Sequence, residues 1–155
     1  MALGNKQHVL LSTRIQALSN AKRTTMCWEL GHFQTPMFIK EPERPPSKPY
    51  MLVCIDTASR ALMGSDLVLD LPHPEDFLSL LVHSMEAPCV GSGDPVRPES
   101  VRLDDSAALE LLASKIGQMG VRFERVERLS ALLEFKKIAE RELFSRQVGY
   151  SGGEN

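Results

Sequence analysis

A chain of 155 residues with 43% hydrophobic residues, 25% charged residues and a formal net charge of −2 has the composition of an ordinary globular protein. Net charge argues against a nucleic-acid partner, and no apolar stretch approaches the roughly 20 residues of a membrane span. The three cysteines are odd in number and widely spaced, which favours reduced thiols over a disulfide framework. We therefore predict a cytoplasmic protein without a membrane partner.

The first 40 residues are predicted to form an extension ahead of the main domain. A short helix is expected over residues 7–19, on the basis of its inward apolar residues. The β-prone run from Thr24 to Leu30 and the run from Pro36 to Ile39 flank Gly31-His32, a pattern that predicts a β-hairpin. Residues 41–49 contain four prolines, which excludes a helix or a central strand and predicts an extended connector.

From residue 50 the pattern is that of an α/β domain over residues 50–148, followed by a flexible tail over residues 149–155. The run Tyr50–Asp56 is apolar almost throughout, as is typical of a strand buried on both faces. A second strand, antiparallel to the first, is predicted over Ala61–Leu69. The element order β-β-α-β-α-β-α predicts a mixed sheet of about four to six strands with helices packed on it.

Capping residues and apolar stripes place three helices in this domain. The first is predicted over residues 74–87, with a proline at its first position. Asp104 or Asp105 is predicted to cap the second, which ends before Gly120 at the C′ position. Ser130 is predicted to cap the last helix. The strands between these helices are predicted at Ser100–Asp104 and Val121–Val126.

Five segments carry a resemblance to a known family. They are Trp28 ahead of Arg44-Pro45, the strand Pro49–Asp56, the loop Gly93-Asp94-Pro95-Val96-Arg97-Pro98, the run Val101–Asp105, and Gly120-Val121. In these segments the chain resembles an uncharacterised prokaryotic family, a domain of unknown function, from about Trp28 to Leu133. The Gly-x-Pro-x-Arg-Pro loop is the most specific segment. The resemblance implies no assigned activity, cofactor or substrate.

A broader resemblance is to ribonuclease-H-like folds, which begin with a β-hairpin and carry carboxylates on the first strand, near the end of the fourth strand and on a late helix. In this chain Asp56 ends the first strand of the predicted domain and Glu140 lies on the last helix. The resemblance implies a divalent-metal phosphoesterase or nuclease with Asp56, Asp105 and Glu140 as catalytic residues. Asp104 would join them in holding Mg²⁺ or Mn²⁺, which prefer carboxylate oxygens.

Ordinary structural roles account for the same carboxylates, and we favour this second interpretation. An aspartate ahead of Thr-Ala-Ser, such as Asp56, is a common turn former. Asp104 and Asp105 precede a helix, where an aspartate is a common N-cap. Glu140 belongs to a charged helix face of the usual solvated kind. A short spacing of carboxylates is a weak motif without structural context, so no metal or other cofactor is predicted for the favoured interpretation.

The loop before the third strand of the domain holds the other candidate binding residues, Asp94 and Arg97. Arg97 either fixes an anion or carboxylate, or pairs with a nearby aspartate and pins the loop; we favour the second. Cys89 is predicted to be a half-buried loop thiol rather than a nucleophile. His73 and His83 are predicted to be exposed and lack metal-ligand spacing.

These features favour a non-catalytic module that binds another protein or regulates it. The support is the near-neutral charge and the lack of any specific catalytic motif in the sequence. The alternative is the metal-dependent phosphoesterase of ribonuclease-H-like type. Geometry separates the two hypotheses, because the enzyme needs its carboxylates to converge in one cleft.

Overall fold

The computed structural model describes residues 11–91, 93–105 and 109–144. The ends of the predicted first and last helices, the residues just before the second helix of the domain, and the predicted tail lie outside these ranges. The described helices are α1 (residues 11–18), α2 (Pro74–Glu86), α3 (Leu109–Gln118) and α4 (Ser130–Ala139), the last followed by a π-helical turn (Glu140–Phe144). The described strands are β1 (Lys22–Arg23), β2 (Cys27–Gln34), β3 (Tyr50–Asp56), β4 (Leu62–Val68), β5 (Val96–Arg97), β6 (Ser100–Leu103) and β7 (Arg122–Arg125).

Five of these strands form one mixed sheet in the order β4-β3-β2-β6-β7. The pairs β2–β3 and β3–β4 are antiparallel, whereas β2–β6 and β6–β7 are parallel. The short strands β1 and β5 pair in parallel beside this sheet. The predicted mixed α/β sheet with helices packed on it is confirmed, as is the antiparallel pairing of the two strands that open the predicted domain.

Strand β2 differs from its prediction in its partners. It pairs with β3 from Trp28↔Asp56 to Gln34↔Tyr50 and with β6 on its other side, so it is the central strand of the sheet. The predicted partner, Pro36–Ile39, contributes an isolated bridge from Ile39 to Ser47 instead. The physical reason is burial. The apolar side chains on both faces of β2, such as Trp28 and Phe33, are buried, and a central strand of a sheet is the position that helices cover on both faces.

The sheet carries a hydrophobic core on each face. Helices α1, α2 and α3 cover one face, where Trp28 is fully buried in the core. Helix α4 covers the other face, packed on Phe33, Val53 and Ile55. Gly31 lies under α4, and a Cβ built there would come within 2.6 Å of the side chains of Leu129 and Leu132. Because Gly31 has no side chain, α4 lies close to the centre of the sheet.

The predicted start of α2 and end of α3 are confirmed by their local geometry. Helix α2 has Pro74 in its first turn, and the N–H of His73 donates to Asp76 Oδ2 at 2.8 Å. Gly120 follows α3 with φ +74°, the left-handed conformation that glycine adopts at a helix C-terminus. Among the described residues, no helix has both the length and the apolar character needed to cross a membrane.

The N-terminus of α4 is capped differently from the prediction. Ser130 is an exposed residue in the first turn, and the N-cap residue Leu129 offers no side-chain hydrogen bond. The carboxylate of Glu29 on β2 takes this role, because its Oε1 accepts a hydrogen bond of 2.9 Å from the N–H of Leu132. Glu29 is buried and sits against the positive end of the helix dipole. The cap therefore comes from the sheet and not from the adjacent sequence.

Candidate functional site

Asp56 closes β3 and organises the turn that leads to β4. Its Oδ2 accepts two hydrogen bonds from Ser59, one from the N–H at 3.0 Å and one from Oγ at 2.6 Å. Arg60 completes the turn with φ +64°. The predicted turn-forming role of Asp56 is therefore present in the structure. Its second oxygen, Oδ1, is buried and has no hydrogen-bond partner among the described residues.

A cleft of about 310 Å³ lies beside this carboxylate. Its polar lining includes Asp56, Ser59 and Asp94, so two of the candidate residues singled out in the sequence share one site. Its wall is otherwise apolar and consists mainly of Met26, Ala61, Met63, Pro88, Val90 and Val96. The turn after β3, the start of β4 and the loop before β5 thus form a small cleft with an incompletely satisfied carboxylate.

The other candidate carboxylates lie elsewhere. Strand β3 runs antiparallel to β2, whereas β6 runs parallel to it. Asp56 at the end of β3 and Asp104 after the end of β6 therefore lie at opposite ends of the strands of the sheet. The register offsets them by three residues, about 10 Å along the strands, and by two strand positions, again about 10 Å. Their side chains therefore do not meet.

Asp105 and Glu140 have partners of their own. Arg125 donates from Nε to Asp105 Oδ1 at 2.7 Å, and this hydrogen bond holds the pKa of Asp105 below its ordinary value. Glu140 lies 3.9 Å from Lys136 on the surface of the last helical segment. Within the described ranges, no group of three or more His, Cys, Asp or Glu side chains could hold a metal ion. The structure does not bring the predicted metal ligands together.

Arg97 is hydrogen-bonded to the backbone through one part-buried and one buried contact. Its Nε donates to the carbonyl of Ala21 at 3.0 Å and its Nη1 donates to that of Met119 at 2.8 Å. The guanidinium therefore lies at the C-terminal end of α3, where a cation complements the helix dipole. The sequence predicted an aspartate as the partner of Arg97, whereas these hydrogen bonds of its guanidinium go to backbone carbonyls.

Two of the histidines and the three cysteines differ in their exposure to solvent. His73 and His83 are exposed, as predicted. The three cysteines are free; Cys89 is exposed rather than half-buried, whereas Cys54 is buried in the core. Burial raises the pKa of the Cys54 thiol far above its ordinary range, so this thiol stays protonated.

His32 is a half-buried histidine that the sequence interpretation placed in a turn. Its ring contacts Phe77 edge-to-face with 5.4 Å between centroids and lies 6.0 Å from Tyr50. Its Nδ1 is buried without a partner among the described residues. Burial lowers the pKa of His32, against a smaller raising effect from the charge of Asp104. The alternation of Trp28, Leu30 and His32 on one face of a longer strand was the signal for this position.

We expect the unfolding free energy to fall as the pH drops below about 6.5, the ordinary pKa of histidine, through the lowered pKa of folded His32. Between these two values the unfolded chain binds more protons, so acidification favours unfolding. Thermal melts from pH 8 to 5 should show a smaller pH slope in His32→Gln than in wild type. The exposed His83→Gln is the control and should keep the wild-type slope. An equal slope in all three proteins would contradict this assignment.

Comparison with known proteins adds a family but no activity. A family model described as a domain of unknown function, DUF6930, matches residues 14–138. A search of the curated proteins finds no match. The fold is similar, at a TM-score of 0.46 and 17% identity, to a chain in the cryo-EM structure of the simian T-cell lymphotropic virus intasome in complex with PP2A regulatory subunit B56 gamma. That match covers 76% of this chain and 42% of the viral-complex chain. With four-fifths of its length matched by the family model, the chain belongs to the DUF6930 family, as its Trp28–Leu133 pattern had indicated.

Proposed function

We propose that this domain is a binding module for another protein and that the cleft beside Asp56 is its recognition site. The observation that carries the proposal is the cleft itself, a mostly apolar concavity of about 310 Å³ lined in part by Asp56, whose buried Oδ1 has no hydrogen-bond partner among the described residues. Its volume is at the lower end of the roughly 300–1,000 Å³ of ligand sites. A single side chain of a partner fits a cleft of this size better than a large cofactor does.

The surroundings of the cleft support this role. Val90 stands at its rim with half of its surface exposed, which provides apolar area for a partner to cover. The three free thiols support the predicted cytoplasmic location, since disulfides are rare in that compartment. The phosphoesterase alternative gains no comparable support, because Asp56, Asp105 and Glu140 have separate surroundings.

The test is site-specific photo-crosslinking of the full chain in the cells that produce it. A photoreactive phenylalanine replaces Val90 at the rim in one variant and Leu111, an exposed apolar residue on α3, in the matched control. We expect one defined protein adduct from position 90 and none from position 111. In a third variant, Val90 carries the probe and Ala61→Phe fills the cleft, which should abolish the adduct.

The captured protein is then purified and its dissociation constant measured against wild type and Ala61→Phe. We expect at least a tenfold weaker complex with Ala61→Phe, since about 1.4 kcal/mol of binding free energy corresponds to a factor of ten. Identical adducts from positions 90 and 111, or equal affinities for the two proteins, would refute the proposal. Adducts only to small molecules would refute a protein partner while keeping the cleft as a binding site.

A further inference from the structure

We infer that the Asp56 cleft recognises an alkylammonium group, namely the side chain of a lysine on the partner protein. This inference rests on the proposed function of the cleft and adds the chemistry that the cleft selects. It follows from the charge of the site, from the number of acceptor positions still free on Asp56, and from the character of the wall.

Asp56 brings a carboxylate to the cleft, and the nearest arginines in the sequence are held by other groups. Arg60 points away from it, because its Nη1 donates to the carbonyl of Thr57 at 2.6 Å and its Nε lies 3.2 Å from Glu134. The guanidinium of Arg97 is held at the end of α3 by backbone carbonyls. A buried carboxylate in such surroundings is stabilised by an incoming cation.

The free acceptor positions favour an ammonium over a guanidinium. Oδ2 of Asp56 already accepts from both the N–H and the Oγ of Ser59, whereas Oδ1 has no donor among the described residues. Arginine recognition is most effective when both carboxylate oxygens receive parallel hydrogen bonds. A compact ammonium needs a single oxygen. Because only one oxygen of Asp56 lacks a donor among the described residues, we expect an ammonium to bind there more tightly than a guanidinium.

The wall of the cleft suits the aliphatic part of a lysine. Met26, Met63 and Val96 present apolar surface, and the four-carbon stem of lysine packs along such surface while its charged end reaches a polar group. Oδ1 itself is buried, so binding of the lysine requires the adaptable methionine side chains that line the same cleft, Met26 and Met63, to move. A bare divalent ion is a poorer occupant, since it needs about six oxygen ligands.

A bound water is the competing explanation for the unpaired oxygen. Trp28 lies directly across from Asp56 in the strand register, and its indole N–H also has no partner among the described residues. A water between them would accept from Trp28 and donate to Asp56, which would satisfy both groups without any ligand. The experiment must therefore separate a recognition site from a hydrated structural pair.

The experiment is an amide chemical-shift titration of the isotopically labelled full chain. The probes are the N-acetyl, N-methylamide derivatives of lysine, of norleucine, which has a similar aliphatic stem without charge, and of arginine. We expect the lysine probe to shift the amides of Ser59, Ala61 and Val90. Its affinity should exceed that of the other two by roughly tenfold, as expected for one charge-assisted hydrogen bond.

Three variants complete the titration. Asp56→Asn should lose the preference for lysine, as should Ala61→Phe, which keeps the carboxylate but fills the cleft. Asp66→Asn, an exposed aspartate on β4, should bind like wild type. The dispersion of the amide spectrum reports whether each variant is folded, and Ala61→Phe keeps the test decisive if Asp56→Asn is not.

Each alternative outcome has a distinct meaning. Equal binding of lysine and norleucine at the cleft would overturn the inference while leaving the proposed binding site intact. Equal binding of lysine and arginine would overturn the selection of an ammonium. No shift at the cleft with any probe overturns the inference and leaves the water between Trp28 and Asp56, whereas the proposed function is judged separately by the crosslinking at position 90.

Discussion

Replacement of Arg97 by methionine is expected to lower the free energy of unfolding by about 3 kcal/mol, because hydrogen bonds from charged donors contribute roughly 1.5–3 kcal/mol each. Methionine keeps an unbranched stem of similar shape and removes the guanidinium. The part-buried carbonyl of Ala21 and the buried carbonyl of Met119 then lose their donors at 3.0 and 2.8 Å. Part of the loss is offset because a charged group no longer has to be buried.

Arg23→Met is the matched control for this experiment. Arg23 pairs with Arg97 in the register of β1 and β5, but its surroundings are exposed. We expect its substitution to change stability by no more than about 0.5 kcal/mol. Urea unfolding followed by circular dichroism gives both values, provided the slope against denaturant is the same in the variants. If Arg97→Met were no less stable than Arg23→Met, the loop would not depend on this arginine.

Replacement of Glu29 by leucine is expected to lower the free energy of unfolding by about 2 kcal/mol, within the roughly 1–3 kcal/mol assigned to a buried group left unsatisfied. The N–H of Leu132 loses its acceptor at 2.9 Å, and the positive end of the dipole of α4 loses a buried negative charge. Hydrogen exchange at the Leu132 amide should accelerate more than exchange in α2, which Glu29 does not contact through this bond.

Two controls separate capping from general damage to the core. Glu29→Gln keeps a side-chain carbonyl as acceptor and should lose less stability than Glu29→Leu. Ser130→Ala tests the cap that the sequence predicted; because the structure places the exposed Ser130 in the first turn and Leu129 at the N-cap, we expect a change within about 0.5 kcal/mol. A larger loss in Ser130→Ala than in Glu29→Leu would show that the serine caps the helix.

Arg97 and Glu29 anchor different parts of the fold, and only one of them bears on the proposed site. Arg97 fixes the end of the loop whose neighbouring residues Asp94 and Val96 line the cleft. We therefore expect Arg97→Met also to weaken the proposed preference of the cleft for lysine. Glu29 acts on the opposite face of the sheet, where α4 packs. A comparison of Arg97→Met with Glu29→Leu therefore distinguishes loss of the site from loss of overall stability.

Much of the fold could be predicted from local patterns in the sequence. Alternation and apolar runs identify β3, β4, β6 and β7, and the helix signals at Pro74 and Gly120 hold in the structure. These signals are short-range, because the period of a strand or helix and the conformations of proline and glycine are local properties. The turn-forming role of Asp56 belongs to the same class, since Ser59 is three residues away.

The candidate site could be predicted only in pieces. Asp56 and Asp94 were both singled out in the sequence, but for different reasons and without a connection between them. Asp56 and Asp94 line the same cleft because the loop before β5 lies beside the turn after β3. His32 was missed because the predicted strand ends at Leu30, whereas β2 extends to Gln34. Glu29 lies within the predicted strand, but its capping role depends on Leu132, which is 103 residues away in the chain.

From β3 onward, local patterns in the sequence predict every described strand except the two-residue β5, together with the helices between them, and they indicate the family. The central position of β2, the capping of α4 by Glu29, and the placement of Asp56 and Asp104 at opposite ends of the strands depend on the tertiary structure. The physical reason is strand direction. Carboxylates at the C-terminal ends of two strands lie at the same end of the sheet only if those strands are parallel. Whether two strands are parallel depends on pairing between residues far apart in the chain.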